Sequence, residues 1–512
     1  MVLKVLLLVI FFAVTIGVGI YCRKTATDVN GFVLGGRSVG PWLTAFAYGT
    51  SYFSAVIFIG YAGQFGWKFG IASTWIGIGN AVLGSLLAWF VLGRRTRIMT
   101  QTLGSATMPE FFEKRYNSKA LKVVASAITF AFLIPYTASL YNGLSRLFES
   151  AFGIDYVWCV IAMSVLTGIY VIAGGYMATA INDFIQGIIM LIGIVAVIVA
   201  VLNSHGGFIA SIKELAMVAV PETAGPISEP GTFASMFGPD PVNLFGVIIL
   251  TSLGTWGLPQ MVQKFYAIKS EKAITRGTLI STIFAVIVAG GCYFLGGFAR
   301  ISGVEAVNDI PVGGFDAVIP KMLEGLPTLL IAVVVVLVLS ASMSTLSSLV
   351  LTSSSTLTLD FIKGTIVKDM KEKKQLSIMR VFIVVFIAIS AVIAIFQVKA
   401  TNGAVAFIAQ LMGVSWGALA GAFLAPFLYG LYAKWASKAA TWVCMIFGAG
   451  IMIANLLFRS AFPAILQSPI NCGAFAMLAC LVIFPIICLI SKKPDKAIIE
   501  KAFTGVKARL ED

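Results

Sequence analysis

Leu339-Ser340-Ala341-Ser342-Met343-Ser344-Thr345-Leu346-Ser347-Ser348, followed by Thr352-Ser353-Ser354-Ser355-Thr356, is the stretch on which the reading of this chain turns. It continues directly from 329–338, a run without one polar side chain. At helical spacing Ala341, Ser344, Thr345 and Ser348 share one face, with Ser347 beside them. A row of neutral oxygens can replace the hydration shell of a small hard cation such as Na⁺, at less long-range charge cost than a row of carboxylates. Small hydroxyls also let membrane helices approach closely and back-bond to their own carbonyls. The stretch alone supports both readings, and the rest of the chain has to choose between them.

The chain has 512 residues, 59% of them hydrophobic and 11% charged. A soluble protein carries about 25% charged residues, so this composition belongs to lipid. Apolar segments long enough to span, at about 20 residues per crossing, lie at 3–22, 41–64, 70–93, 120–145, 156–178, 181–203, 241–263, 278–299, 326–358, 380–398, 404–432, 439–458 and 473–490. The expected architecture is therefore an all-α polytopic membrane protein of about 13 transmembrane helices. The first run is too long and too poor in a cleavage site for a signal peptide, and reads as a retained membrane helix. With 23–40 placed inside, 28 of the 36 lysines and arginines fall on the inner side, Lys264 among them. Only Lys4, Lys68, Arg146, Lys213, Arg300, Lys321, Lys399 and Arg459 fall outside. This bias sets the N-terminus outside and the C-terminus in the cytoplasm. It also accounts for the net charge of +14 without a nucleic-acid partner. The seven cysteines are scattered and His205 is the single histidine, so neither a metal cluster nor a disulfide framework is indicated.

Two spans carry breaks of the same kind. Gly49-Thr50-Ser51-Tyr52-Phe53-Ser54-Ala55 interrupts the second, and Gly254-Thr255-Trp256-Gly257-Leu258-Pro259-Gln260 the seventh. A loosened membrane helix survives only where protein or a water-filled cavity takes over the freed backbone groups. An interval of five spans inverts the second copy relative to the first. Paired interruptions at matching places of two halves point to a transporter's midplane site. Asp183, at the start of the sixth span, is the other polar intrusion. It either favours the positive end of a helix dipole or faces the bundle and needs a cation. The sixth span has no lysine or arginine, which leaves a sodium ion for that role.

Phe32-Val33-Leu34-Gly35-Gly36-Arg37-Ser38-Val39-Gly40-Pro41, Ala173-Gly174-Gly175-Tyr176, Asn182-Asp183 with Gln186-Gly187, and Met343-Ser344-Thr345-Leu346-Ser347 together resemble the sodium:solute symporter family, which includes bacterial proline, pantothenate, sialic acid and galactose carriers. The similarity runs over about residues 5–490 and keeps the family's motif order. It implies a five-plus-five inverted repeat core shared with the leucine transporter. On that plan 1–40 holds the first helix and an inner loop, 41–203 the first repeat and 204–240 an outer loop. The second repeat follows at 241–432, two further helices at 433–491 and a cytoplasmic tail at 492–512.

The resemblance also implies site residues. A first sodium would lie among the carbonyls of Thr50, Phe53 and Ala341 and the hydroxyls of Ser344 and Thr345. A second, as in sialic acid carriers, would use Asp183, Ser344, Ser347 and Ser348. The solute cavity would involve Ser54, Ile57, Tyr136, Thr255, Trp256 and Gln260. Proline carriers have an aspartate where this chain has Tyr52, so a role resting on that carboxylate does not carry over. Sugar carriers place a glutamine and a glutamate where Ile57 and Thr74 stand here, which speaks against a sugar. No arginine in the membrane core suits a substrate carboxylate, which would have to rest on unwound backbone N–H groups or helix N-termini.

The expected activity is sodium-coupled import of a small organic solute, such as an amino acid, pantothenate or another small carboxylate, by alternating access. It would take place in the plasma (inner) membrane, with one or two Na⁺ as coupling ions and a lipid-embedded monomer as the working unit. A proton-coupled permease of the same fold and a sodium-coupled sugar carrier are the alternatives. No nucleophile–base pair within the spans suggests an enzyme.

Overall fold

The computed structural model describes residues 2–363, 365–367, 369–400 and 408–510. The first residues of the 404–432 segment, 404–407, lie outside them. Among the described residues, eleven helical stretches are long and apolar enough to cross a membrane. Lipid offers no hydrogen bonds to the backbone, so each segment satisfies its own amides as a helix. Two of these stretches, Val56–Leu103 and Tyr156–Ser204, have 48 and 49 residues. The second of them is divided by Gly175, at φ 55° and ψ −144°, within the Ala173-Gly174-Gly175-Tyr176 motif. Glycine is needed there twice over, since a Cβ would also stand 2.7 Å from the Phe32 carbonyl oxygen.

Both broken spans are broken in the structure, and in the same way. Pro41–Tyr52 is helical, Phe53 turns extended at φ −85° and ψ 120°, and the chain resumes as a wide π-type turn over Val56–Tyr61 and an α-helix over Ala62–Phe69. In the seventh span, Pro241–Leu253 tightens into a 3₁₀ turn at Gly254–Trp256, and Leu258 is extended at φ −85° and ψ 120°. Pro259 then opens the helix Pro259–Ala267, where its missing N–H costs nothing. Each break thus rests on one extended residue between two half-helices.

The hydroxyl-rich stretch forms the C-terminal two thirds of the helix Thr328–Thr356. Every side chain from 337 to 356 is buried, which makes this helix the centre of the bundle. Its neighbours close in where side chains are small. A Cβ on Gly66 would lie 1.9 Å from the carbonyl oxygen of Gly296, so the helices Ala62–Phe69 and Gly291–Gly296 cross backbone to backbone.

The charged residues at the two ends are largely structural. At one end, the Arg300 guanidinium lies 4.3 Å from the rings of both Trp67 and Phe233 and pairs with Asp309 at 2.5 Å. It thereby pins the 204–240 and 300–325 loops over the helix ends. At the other end, Arg115 donates to the carbonyls of Gly430 and Ala433 at 2.8 and 2.7 Å, and Arg97 to those of Ile268 and Lys269 at 2.8 and 2.5 Å. These carbonyls at helix ends have no helical partner, and the arginines supply one.

Candidate ion and solute site

The Phe53 break leaves carbonyls of the preceding helical turn without the amides a continued helix would bring. They face the central helix. Thr345 Oγ1 lies 3.1 Å from the Thr50 carbonyl oxygen, 3.3 Å from that of Phe53 and 3.1 Å from that of Ala341. Ser344 Oγ lies 3.2 Å from the Thr50 oxygen and 3.1 Å from the Ala341 oxygen. Thr50, Ser344, Thr345 and Ala341 are fully buried and Phe53 nearly so. Five oxygens therefore converge, and two hydroxyl protons are all the hydrogen-bond donors they bring. Each proton can satisfy one carbonyl, so the cluster keeps more lone pairs than donors in a place without bulk water. A small desolvated cation is the species that such a surplus of neutral oxygens stabilises. All five residues expected of the first sodium site are brought together here.

The residues expected of a second site are arranged differently from the expectation. Asp183 is 0% exposed and neither carboxylate oxygen has a hydrogen-bond partner among the described residues. Ser347 Oγ donates to the Ser344 carbonyl at 2.9 Å. Ser348 Oγ is 2.8 Å from Ser51 Oγ, at the second-span break, and accepts from Lys264 Nζ at 2.9 Å. Lys264 corrects the sequence reading, which placed it in an inner loop. The seventh span does not end at 263, because the half-helix begun by Pro259 continues inside the protein to Ala267. Lys264 is only 2% exposed. The Tyr176 ring lies 5.2 Å from its ammonium.

The residues expected of the solute cavity fall into two groups. Thr255 and Trp256 turn their donors to backbone carbonyls: Thr255 Oγ1 to Ser252 at 2.8 Å, and Trp256 Nε1 to Leu83 at 2.9 Å. Ser54, Tyr136 and Gln260 are buried with side-chain polar atoms that have no partner among the described residues. Ile57 is fully buried on the half-helix beyond the first break. Two residues join this second group that the sequence reading did not place in the cavity. Trp416 Nε1 and the Tyr52 hydroxyl are also buried and unpartnered. The Trp416 ring packs edge-on against Tyr136 at 5.9 Å and at a tilt against Tyr52 at 5.8 Å. Buried polar groups are normally paired, so a cluster of unpaired donors beside a helix break is the signature of a place meant for a ligand. Trp416 gave no signal in sequence because it stands among glycines and alanines on an apolar helix, as a core residue would.

Comparison with known proteins identifies the family. The model of the sodium:solute symporter family matches residues 32–448. A sodium/proline symporter 2 of Staphylococcus saprophyticus is 32% identical over 476 residues, covering 88% of this chain and 85% of that protein. A sodium/proline symporter of Staphylococcus aureus is 31% identical over 468 residues with the same coverage. Among solved structures, a Na⁺-coupled sialic acid symporter in its substrate-bound outward-open state superposes with a TM-score of 0.75 at 16% identity, covering 96% of this chain and 98% of that one. A manganese transporter of Eremococcus coleocola gives 0.54 at 14% identity, with 93% and 96% covered. At those identities the structures speak for the fold, which is the leucine-transporter-like one. The matched length and the similarity to the curated relatives settle the rest: this chain belongs to the sodium:solute symporter family, and is a sodium-coupled transporter rather than an enzyme.

Proposed function

We propose that the protein imports proline or a closely similar small amino acid together with Na⁺, by alternating access between the two repeats, in the plasma membrane with its C-terminus in the cytoplasm. The observation that carries the coupling mechanism is the cluster of Thr50, Phe53, Ala341, Ser344 and Thr345. It ties the broken second span to the central helix through oxygens that a cation draws together. Sodium arriving from outside neutralises the surplus of lone pairs and fixes the break, and with it Ser54 and Ile57 one residue or one turn further on. The ion therefore orders the wall against which the solute binds. Neutral ligands hold it loosely enough that it leaves when the inner side opens to low sodium. Each charge moving down 100 mV contributes about 2.3 kcal/mol to accumulation.

The solute reading is supported by the names of the curated relatives and by the chemistry of the unpaired group. Tyr136, Ser54 and Trp416 all offer donors, and none carries a charge. Such a set suits a carboxylate in a site without arginine, while Ile57 and the rings of Tyr52 and Trp416 suit a small apolar body. Thr255 and Trp256, whose donors are engaged by backbone, hold the second break in place. The test is uptake of labelled proline into proteoliposomes, with outside sodium exchanged for choline at constant ionic strength. Accumulation in sodium that is lost in choline supports the proposal. Equal uptake under a proton gradient in choline would replace sodium with protons, and no proline uptake in sodium would remove proline as the solute.

A further inference from the structure

We infer that a cavity at the end of the bundle that carries the C-terminus binds the head-group phosphate of an anionic phospholipid. The cavity measures about 300 Å³, and its wall includes Arg115, Lys438, Lys492, Lys493 and Asp495. Arg115 is fully buried. Its Nε and Nη2 donate to the Gly430 and Ala433 carbonyls, and its Nη1 is buried without a partner among the described residues. The three lysines are exposed. None of the four cations makes an ion pair among the described residues. The one carboxylate in the wall, that of Asp495, accepts from the Ala497 amide at 3.0 Å, in the first turn of the helix Lys496–Leu510. Four positive side chains therefore meet one carboxylate that is already engaged. The two carbonyls solvate the Arg115 guanidinium but do not neutralise it, and a buried charge without a counter-ion is costly. An anion in the cavity supplies the missing charge.

What lies beside the cavity selects a lipid as the source of that anion. The last span, Pro469–Ile490, ends two residues before Lys492. Along it Val482, Ile486, Leu489 and Ile490 are 61, 52, 86 and 80% exposed, and helical spacing puts them on one face. Apolar side chains so exposed on a membrane span meet acyl chains. A lipid lying along this stripe brings its phosphate to the level of the lysines, whereas a free phosphate gains nothing from the stripe. The tail wall of the cavity is a fixed part of the fold. The helix Lys496–Leu510 buries Ala502, Phe503 and Val506 against the protein, and the Phe503 ring stands 5.4 Å from the Arg115 guanidinium. This is the end proposed above to face the cytoplasm, where anionic lipids attract basic segments and basic pockets between spans take head groups. The sodium and solute readings do not depend on this inference.

The experiment measures binding of labelled phosphatidylglycerol to the purified full chain in a neutral detergent, counted per chain. Labelled phosphatidylcholine is the zwitterionic comparison and labelled inorganic phosphate the soluble one. One saturable phosphatidylglycerol is expected, held at least about tenfold more tightly than phosphatidylcholine. The triple variant Lys438→Gln, Lys492→Gln, Lys493→Gln should weaken it about 10- to 100-fold, since a lysine near a membrane surface contributes up to about fivefold. Lys371→Gln, Lys373→Gln, Lys374→Gln changes three exposed lysines outside the cavity and should leave binding within about twofold. Arg115 is kept in both, because its bonds to Gly430 and Ala433 hold helix ends. Equal binding of the two lipids would overturn the inference. So would equal weakening by the two lysine sets, which would show a diffuse surface charge in place of a site. Inorganic phosphate bound more tightly than the lipid, with the same dependence on the cavity lysines, would assign the cavity to a soluble anion and overturn it too. If the cavity variant fails to fold, the wild-type preference between the two lipids still decides.

Discussion

Replacing Tyr136 by phenylalanine separates a solute-binding hydroxyl from an ordinary core residue, because the two roles give effects of opposite kind. In the structure the Tyr136 ring is packed against Trp416 at 5.9 Å while its hydroxyl is buried without a partner. Phenylalanine keeps the ring contact and removes only the unpaired oxygen. An unsatisfied buried polar group costs about 1–3 kcal/mol, so Tyr136→Phe should leave the solute-free protein as stable as the wild type or more so. Bound solute would give the hydroxyl its partner, and that hydrogen bond is worth about 0.5–1.5 kcal/mol, or about 2- to 13-fold in affinity. The assay is a thermal-denaturation series of both proteins in sodium, without proline and with increasing proline. The expected pattern is an unshifted or raised midpoint without proline and a rightward shift of the proline titration by that factor. A lower midpoint without proline, together with an unshifted titration, would show that the hydroxyl is structural and would refute the assignment of this cluster to the solute.

Other consequences follow from the same geometry. Trp256→Phe should lose the bond to Leu83, at a cost of about 0.5–1.5 kcal/mol in stability, without shifting proline affinity at saturating sodium. A change in affinity alone would place Trp256 in the solute site instead. Gly66→Ala should be destabilising by about 1–3 kcal/mol or more, since its methyl would meet Gly296 at 1.9 Å. Normal expression and an unchanged denaturation midpoint would contradict the backbone-to-backbone packing. Arg300→Ala removes the Asp309 pair and the contacts with Trp67 and Phe233. It should make the outer loops more open to limited proteolysis from outside while leaving the sodium affinity of the detergent-purified protein within about twofold, an ordinary tolerance for changes remote from a site.

Much of this molecule can be read from its residues, for physical reasons that differ from place to place. The two breaks were legible because lipid punishes Gly, Pro and hydroxyl clusters unless something compensates them, and Phe53 and Leu258 duly share one backbone conformation. The face carrying Ala341, Ser344 and Thr345 was legible because helical spacing alone brings them together. Lys264 was misplaced because a lysine just past an apolar run ordinarily marks the cytoplasmic end of a span. Only the fold shows that Pro259 starts a fresh half-helix and carries the ammonium inward. Trp416 and Tyr52 were not placed in the cavity because unpaired donors are a property of packing, invisible in a sequence that offers aromatic residues everywhere.

The central claim is that the five oxygens between the second-span break and the central helix hold the coupling ion. Its most direct test is the sodium concentration giving half-maximal proline uptake in proteoliposomes, compared between the wild type and Thr345→Ala. Thr345 Oγ1 reaches three of the other oxygens at 3.1–3.3 Å. Taking its contact with the ion as comparable to a hydrogen bond to a charged group, about 1.5–3 kcal/mol, that concentration should rise by about 10- to 150-fold. Proline affinity at saturating sodium should stay close to that of the wild type. An active Thr345→Ala protein with an unchanged sodium requirement would contradict the account.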